Sequence, residues 1–220
     1  MVDRTIFWTR AGALGGIVFF FSLLVLIALM PLSHSVQEPA FDAPSSAVLA
    51  YARSETDLPF ALSLIGVLGL FGFAVFAAVL TTRFRLEGSR WDVASTLVLL
   101  AAVTFMVLWL AELGLGLGQT FRRNDLDATG ASVLSGLANG IFVVSWSAIA
   151  AFLGACGFAV LWTRTLPSWL GWSAVVIGIA MFLSGAAPLT SVWFLPYVMF
   201  FGWVLAASVV LLRTGLTHPS

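Results

Sequence analysis

Long apolar runs separated by short polar segments make up most of the chain. A bilayer core about 30 Å thick is crossed by roughly 20 helical residues at a rise of about 1.5 Å each. Six runs meet that length, at about residues 11–31, 60–81, 93–111, 133–162, 168–187 and 192–212. The pattern therefore predicts an all-α membrane protein, a six-transmembrane-helix bundle that forms a single integral membrane domain over residues 1–220.

The composition agrees with this prediction. Sixty per cent of the 220 residues are hydrophobic and 9 per cent are charged, against roughly 25 per cent charged residues in an average soluble domain. The net charge is zero, so no basic patch points to nucleic acid as a partner. The first apolar run is long for a signal peptide and lacks a small-x-small cleavage pattern, so we interpret it as an uncleaved helix.

The distribution of arginine predicts the orientation in the membrane. All ten cationic residues are arginine, and arginines near helix ends tend to stay in the cytoplasm. With the N-terminus inside, the inner segments hold seven arginines and the outer segments hold three. We therefore expect both termini to be cytoplasmic. The lysine-free composition suggests a GC-rich bacterial genome, and hence a multi-pass protein of a bacterial plasma membrane.

The first outer loop, residues 32–58, is longer than the inner loops. Its stretch SSAVLAYARSET begins with serines that can cap a helix, and Val48, Leu49 and Ala52 follow at positions that form one apolar face. The pattern predicts a short helix lying on the membrane interface. A disordered connector is the alternative.

Several chemistries are excluded by missing residues. Without lysine there is no Schiff-base chemistry, and the single cysteine, Cys156, cannot form an internal disulfide. The two histidines, His34 and His218, lie outside the apolar runs, so they cannot hold a haem within the bilayer. We name no catalytic residue, and we expect no cofactor and no metal.

Small residues line one face of the fourth predicted helix: Gly136, Gly140, Ser147, Ala151 and Ala155. In lipid, helices attract each other mainly by close backbone approach, which small side chains permit. The stripe therefore predicts that this helix packs centrally in the bundle. A groove that binds a ligand is the alternative.

Glu112, Asn139 and Trp146 form a candidate polar pocket. Asn139 and Trp146 are seven residues apart and share a helix face, and an amide at that depth needs a hydrogen-bond partner. Glu112 lies about 28 Å along the third helix when counted from Val93. If the helix ends near Ala111, Glu112 is a solvated acid beside an arginine. If the helix continues, Glu112 is a partly buried acid and a candidate functional group.

A second candidate is the outer charged cluster in the stretch TFRRNDLDATG. It consists of Arg122, Arg123, Asp125 and Asp127. DLDATG matches the beginning of a calcium-binding loop, but Gly136 stands where the loop requires a bidentate glutamate. We therefore expect Asp127 or Thr129 to cap the fourth helix, with the acids offsetting the arginines. The alternating glycines of LGLGLG fail the spacing of a nucleotide-binding loop and predict a loosened helix end.

The stretch TRTLPSWLGW carries a resemblance. An arginine-bearing inner loop, a Leu-Pro helix start and Trp-Leu-Gly-Trp occur here in a six-helix chain with a long first outer loop. In these features the chain resembles a bacterial membrane family catalogued only as a domain of unknown function (domain of unknown function 4386). The resemblance implies the six-helix topology and no catalytic residues.

Three functions remain open. The leading hypothesis is a non-catalytic membrane protein that acts through packing with lipid or with a partner, either a second copy of the chain or another membrane protein. The second is a small-molecule transporter with an outward-facing polar pocket around Glu112 and Asn139. The third is an enzyme at the outer surface that uses Glu112, Asp125, Asp127 and His34.

Overall fold

A computed structural model describes residues 2–56, 58–86, 92–186 and 194–214, with the side chains of residues 2–5 and 214 outside the description. Most of the described backbone is helical. The helices are α1 (Val2–Leu29), α2 (Ser45–Arg53), α3 (Leu58–Leu86), α4 (Asp92–Arg122), α5 (Ala128–Thr163), α6 (Ser168–Ser184) and α7 (Phe194–Thr214). A 3-10 turn at Met30–Leu32 extends α1.

Five of these helices are long and apolar enough to cross a membrane. The candidate spans are Ile6–Leu32, Leu58–Leu86, Asp92–Arg122, Ala128–Thr163 and Phe194–Arg213. The sixth, α6, is apolar and has 17 described residues. The chain is therefore an all-helical protein of the membrane type, with α6 as a shorter apolar helix beside the five candidate spans.

The six apolar helices are arranged in a ring. Each packs against the next one in chain order, and α7 returns to pack against α1. The short helix α2 lies outside this ring and packs against α5. We call the end of the ring that carries Arg83, Arg85 and Arg164 the arginine end.

Aromatic side chains fill the centre of the ring. Phe19, Phe73, Phe105, Phe152 and Phe200 come from five different helices and are at most 1% exposed. The ring centroids of Phe19 and Phe73 are 4.8 Å apart, and those of Phe73 and Phe152 are 5.2 Å apart. Most of these pairs meet edge to face, the geometry that aromatic quadrupoles favour. The axis of the bundle is therefore packed with rings.

Glycines allow the closest helix crossings. A Cβ on Gly15 would collide with the carbonyl oxygen of Gly72, and a Cβ on Gly72 would collide with that of Gly15, so α1 and α3 touch backbone to backbone. Gly157 and Gly171 join α5 and α6 in the same way, with the Gly171 oxygen 2.8 Å from a Cβ built on Gly157. Such contacts are the main source of attraction between helices in lipid.

Local signals explain where α5 begins and ends. The Asp127 carboxylate accepts a hydrogen bond of 2.7 Å from the amide of Gly130, which confirms the predicted aspartate cap. At the other end Arg164 takes a left-handed conformation, with φ of 56°. This conformation is uncommon for a residue with a side chain and turns the chain out of the helix.

Several predicted boundaries were wrong. The third predicted helix, 93–111, continues through LGLGLG to Arg122 as α4, because backbone groups in lipid must keep their hydrogen bonds and helical glycines keep them. The first helix already begins at Val2, and α5 begins at Ala128. The short helix predicted in the first outer loop is present as α2, but Pro44, without a side-chain hydrogen bond, takes the cap position predicted for a serine. Predicted ends at 187 and 192 lie outside the described residues.

The small-residue stripe of α5 does not have the predicted role. Gly136, Gly140, Ser147 and Ala151 are exposed. A Cβ built on Gly136 or Gly140 would meet no atom within 4 Å. Because α5 is one helix of a ring, this face of it points away from the other helices instead of occupying the centre. The stripe therefore does not mediate the predicted packing, although α5 as a whole packs against α4, α6 and α2.

Candidate functional site

Residues 33–56 cover the end of the ring opposite the arginine end, and we call them the cap. Their two ends pair as an isolated antiparallel bridge between His34 and Glu55. The amide of Thr56 donates to the carbonyl oxygen of Ser33 at 2.9 Å, and the amide of Ser35 donates to Ser54 at 3.3 Å. The cap is therefore an ordered loop closed on itself rather than a free connector.

The end of α4 holds the cap in place. Arg123 donates from Nη1 to the carbonyl oxygens of Glu55 and Thr56, both at 2.8 Å. In the opposite direction, Arg53 of the cap donates to the carbonyl oxygen of Leu126 at 3.1 Å. A charged donor on a neutral carbonyl makes one of the stronger hydrogen bonds of a protein. Arg123, predicted as part of a charged cluster, thus acts as a clamp on backbone carbonyls.

Apolar contacts hold the middle of the cap. Val48 and Ala52 on α2 are buried, and α2 packs against α5. Tyr51, on the same helix, stacks on the ring of His34 with centroids 3.8 Å apart and an interplanar angle of 9°. The stack connects α2 to the bridge that closes the cap.

Titratable groups concentrate inside the cap. The side chains of His34 and Glu55 are 12% and 9% exposed, and Nε2 lies 3.8 Å from Oε1. Burial raises the pKa of Glu55, opposed by the hydrogen bond from Thr120 and by the charge of Arg123. Burial also lowers the pKa of His34. Both shifts favour the uncharged forms.

Two further groups of the cap are perturbed. Burial raises the pKa of Tyr51, and the charges of Glu38 and Glu55 raise it further. Glu38 keeps exposed surface, yet the surrounding protein displaces enough water to raise its pKa. The cap is therefore an acidic region in which burial removes water from two carboxyl groups and one tyrosine hydroxyl.

Glu112 lies below the cap on α4 and is half-buried. The rings of Trp109 on α4 and Phe201 on α7 pair at 6.2 Å, and one turn towards the cap from each of them are Glu112 and Tyr197. Because α4 does not end at Ala111, Glu112 is the partly buried acid of the two alternatives. The described structure gives it no ion pair with Arg122 or Arg123.

Trp146 and Asn139 approach this region from α5. Trp146 is fully buried, and its ring packs on Phe142 at 5.3 Å. Phe142 in turn packs on Tyr197 at 5.4 Å. Asn139 is half-buried, and the hydrogen bond expected for its amide is not among the contacts of the described residues. Tyr197 therefore stands between the Glu112 side and the Trp146 side of the predicted pocket.

The outer charged cluster is divided among separate contacts. Arg122 pairs with Asp125 at 3.4 Å, and both side chains are more than 70% exposed. Arg123 clamps the cap, and Asp127 caps α5. Within the described residues no three histidine, cysteine, aspartate or glutamate side chains are placed to hold one metal ion. Each member of the predicted cluster thus has its own structural contact.

The sequence analysis missed Tyr51, Tyr197 and Glu55. A signal was available for the tyrosines, because the chain has only two of them against nineteen phenylalanines. Both hydroxyl-bearing rings lie at the cap end, although 146 residues separate them in the chain. No comparable signal marked Glu55, which pairs with His34 across the whole cap.

Away from the cap, a groove of about 710 Å³ runs between α4 and α5 on the outside of the ring. Leu97, Ala101, Ala151 and Ala155 form part of its floor and walls. Phe158 and Trp162 line its arginine end and are 47% and 63% exposed. Nearly all of its lining is apolar, as expected for a surface that faces hydrocarbon.

Comparison with known proteins gives no relative of this chain. No family model matches it, and neither a curated protein nor a solved structure does. The cap end and the α4–α5 groove are therefore interpreted from their own geometry.

Proposed function

We propose that the chain is a non-catalytic, multi-pass membrane protein that acts by lateral association in the bilayer. The partner we propose is a second copy of the chain, bound along the α4–α5 groove. The observation that carries this proposal is the exposed small-residue face of α5, at Gly136, Gly140, Ser147 and Ala151, which the other helices leave uncovered within the described residues.

The spacing of the exposed residues supports a helix as the occupant of the groove. On α5 the exposed positions Gly140, Val144, Ser147 and Ala151 alternate in steps of four, three and four residues; Ala151 lines the groove, and the other three continue the same helix beyond it. On α4 the exposed positions follow the same rhythm, at Val93, Leu97, Leu100, Thr104 and Val107. This is the spacing of two helices that cross at about 20° and interlock their side chains. A two-fold symmetric pair brings the same face of each copy together.

The remainder of the ring supports a role without catalysis. The close contacts of α1 with α3 and of α5 with α6 are made by other glycines. Gly136 and Gly140 take no part in them and lie on the outer surface of the ring. Aromatic rings fill the axis of the bundle. This packing supports a closed bundle rather than one with a central route for solutes. Asp125 and Asp127, two of the carboxylates named in the enzyme hypothesis, are occupied by separate contacts, which weakens that hypothesis.

The proposed topology has six spans with both termini in the cytoplasm of a bacterium. It counts α6 as a span together with the five longer helices. The arginine end then faces the cytoplasm and the cap faces outward, in accord with the retention of arginine on the inner side. The resemblance to domain of unknown function 4386 is part of the same proposal.

Cysteine cross-linking in native membranes tests the association. In a Cys156→Ala background, Ser147→Cys and Ala151→Cys place a thiol on the proposed contact, and Val176→Cys places one on the exposed face of α6. We expect oxidation to give a covalent dimer for the first two variants and a monomer for the third. Equal cross-linking at all three positions, or none at any, would refute the proposed interface. A monomer that retains phospholipid in native mass spectrometry would assign the groove to an acyl chain instead.

A second candidate function is favoured by Glu112. A half-buried carboxylate near a tyrosine and a buried tryptophan suits a cationic solute, since aromatic faces attract organic cations. The test is thermal unfolding with tetraethylammonium and ethidium for the unmodified chain, Glu112→Gln and the exposed control Asp125→Asn. Stabilisation that only Glu112→Gln abolishes would support transport or binding of cations. No stabilisation of the unmodified chain would remove this candidate for these cations.

A further inference from the structure

The cap contains a pair of titratable side chains that neither proposed function uses. We propose that His34 and Glu55 form a site for a single proton, and that this proton holds the cap closed. The site lies between the two ends of the cap, where His34 and Glu55 also form the backbone bridge. The proposal stands independently of lateral association and of solute binding.

Hydrogen bonding around Ser33 determines which nitrogen of His34 carries hydrogen. The Ser33 hydroxyl donates to the carbonyl oxygen of Met30 at 2.6 Å. A hydroxyl has one hydrogen, so toward Nδ1 of His34, 2.8 Å away, Ser33 presents a lone pair. With the hydroxyl hydrogen directed at Met30, we assign the donor of the Ser33–His34 contact to Nδ1, and this tautomer is part of the proposal. In the neutral ring, Nε2 is then an acceptor without hydrogen.

That acceptor faces another acceptor. Nε2 of His34 lies 3.8 Å from Oε1 of Glu55. When Glu55 is ionised, two lone pairs oppose each other in a region where water is scarce. Oε2 of Glu55 is buried and has no hydrogen-bond partner in the described structure. A buried carboxylate oxygen without a donor is costly, and one proton on the carboxyl group removes its charge and supplies a donor toward Nε2.

The other charged and titratable groups around the pair come from the cap and from α4. Tyr51 of α2 covers one face of the His34 ring, and the charge of Glu38 helps to raise the pKa of that tyrosine. From α4, the Thr120 hydroxyl lies 3.0 Å from Oε1 of Glu55 and 3.0 Å from the carbonyl oxygen of Gly116, so its one hydrogen serves one of the two oxygens at a time. Arg123 binds the backbone carbonyl of Glu55 at 2.8 Å, and its charge opposes proton uptake by the carboxyl group.

The pKa shifts define the direction of the pH effect. The raised pKa of Glu55 keeps the carboxyl group neutral to a higher pH than usual, and the lowered pKa of His34 keeps the ring neutral to a lower pH. Both shifts widen the range in which the carboxyl group holds the proton and the ring accepts it. The stabilisation from Glu55 is lost as the pH rises through its raised pKa. The stabilisation from His34 is lost as the pH falls through its lowered pKa.

The histidine tautomer gives the first test. The chain has only two histidines, so the side-chain spectrum of protein labelled with ¹⁵N-histidine contains two rings, and His34→Gln assigns them. We expect His34 to be the Nδ1–H tautomer at neutral pH. An Nε2–H tautomer, or titration of His34 at its ordinary pKa, would overturn the proposal.

Hydrogen exchange of the cap gives the second test. The reporters are the amides of Thr56 and Ser35, which bond across the bridge. Their protection factors, which correct for the intrinsic pH dependence of exchange, are compared in the unmodified chain, in Glu55→Gln and in Asp42→Asn. Glu55→Gln puts a permanent amide donor in place of the proton, and Asp42 is an exposed acid of the same cap.

We expect protection in the unmodified chain and in Asp42→Asn to fall by up to about tenfold per pH unit above the upper apparent pKa, the slope for release of one proton. In Glu55→Gln protection should not change over that range. The same slope in all three proteins, or a flat profile in the unmodified chain, would overturn the proposal. If Glu55→Gln does not fold, the tautomer of the unmodified chain still decides the question.

Discussion

Replacing Gly72 by alanine tests the backbone contact between α1 and α3. The added methyl would overlap the carbonyl oxygen of Gly15, and neither group can rotate out of the way because both belong to helix backbones. The helices must separate instead. A gap of about 0.5–1 Å forfeits roughly a quarter to a half of the dispersion energy of the atoms that face it.

Overpacking of this kind costs about 1–3 kcal/mol. Alanine also favours a helix over glycine by about 1 kcal/mol, which hides part of that cost. Gly202→Ala supplies the reference, because Gly202 is exposed on α7 and a Cβ there meets nothing within 4 Å. We expect Gly202→Ala to be neutral or stabilising. The helix propensity of alanine contributes equally to both variants, so the difference between their free energies of unfolding should be the overpacking cost of about 1–3 kcal/mol.

The measurement is reversible unfolding of each variant in mixed micelles of lipid and detergent, followed by circular dichroism. Gly15→Ala should reproduce the loss, since its methyl would meet the Gly72 oxygen from the opposite side. Equal stability of Gly72→Ala and Gly202→Ala would show that α1 and α3 do not touch through these glycines, and would refute the reasoning.

Three further substitutions test the cap, the start of α5 and the core. Arg123→Gln removes the charged clamp on two carbonyls, so limited proteolysis should cut the cap faster, whereas Arg122→Gln, at an exposed position, should leave the rate unchanged. Asp127→Ala should lower the free energy of unfolding by about 1 kcal/mol through loss of the cap hydrogen bond, with no comparable loss in Asp125→Ala. Trp203→Phe removes the indole donor that bonds to the Leu170 carbonyl oxygen at 2.9 Å, and since Ser173 still donates to that oxygen, the lost hydrogen bond should cost about 0.5–1.5 kcal/mol in the same unfolding assay.

Helix content and candidate spans were predictable because the bilayer imposes a length on apolar runs. The face of each helix that points inward could not be predicted in the same way. In lipid both the core face and the outer face are apolar, so periodicity carries little information about burial. On α3, for example, Phe71 is 69% exposed and Phe73 is fully buried, although the two differ only in position.

The candidate site was predictable only in part, for a different reason. Glu112, Asn139 and Trp146 could be named because a polar or bulky residue stands out in an apolar run. The cap could not be predicted from local patterns, since Thr120 and Arg123 reach residues 65 and 68 positions earlier in the chain. The end of α4 was misjudged because glycine weakens helices in water, whereas in lipid an unpaired backbone group costs more than a glycine.

The length of α4 also affects how the protein meets lipid headgroups. A helix of 31 residues is about 46 Å long, which is longer than a hydrocarbon core of about 30 Å. Gly114 and Gly116 lie roughly 33–36 Å from its first residue, both exposed and both without neighbouring atoms around their Cβ positions. At these two positions α4 presents main chain without a side chain, between the leucines Leu113, Leu115 and Leu117. Lipid headgroups and water can therefore approach its main chain directly, just beneath the residues that clamp the cap.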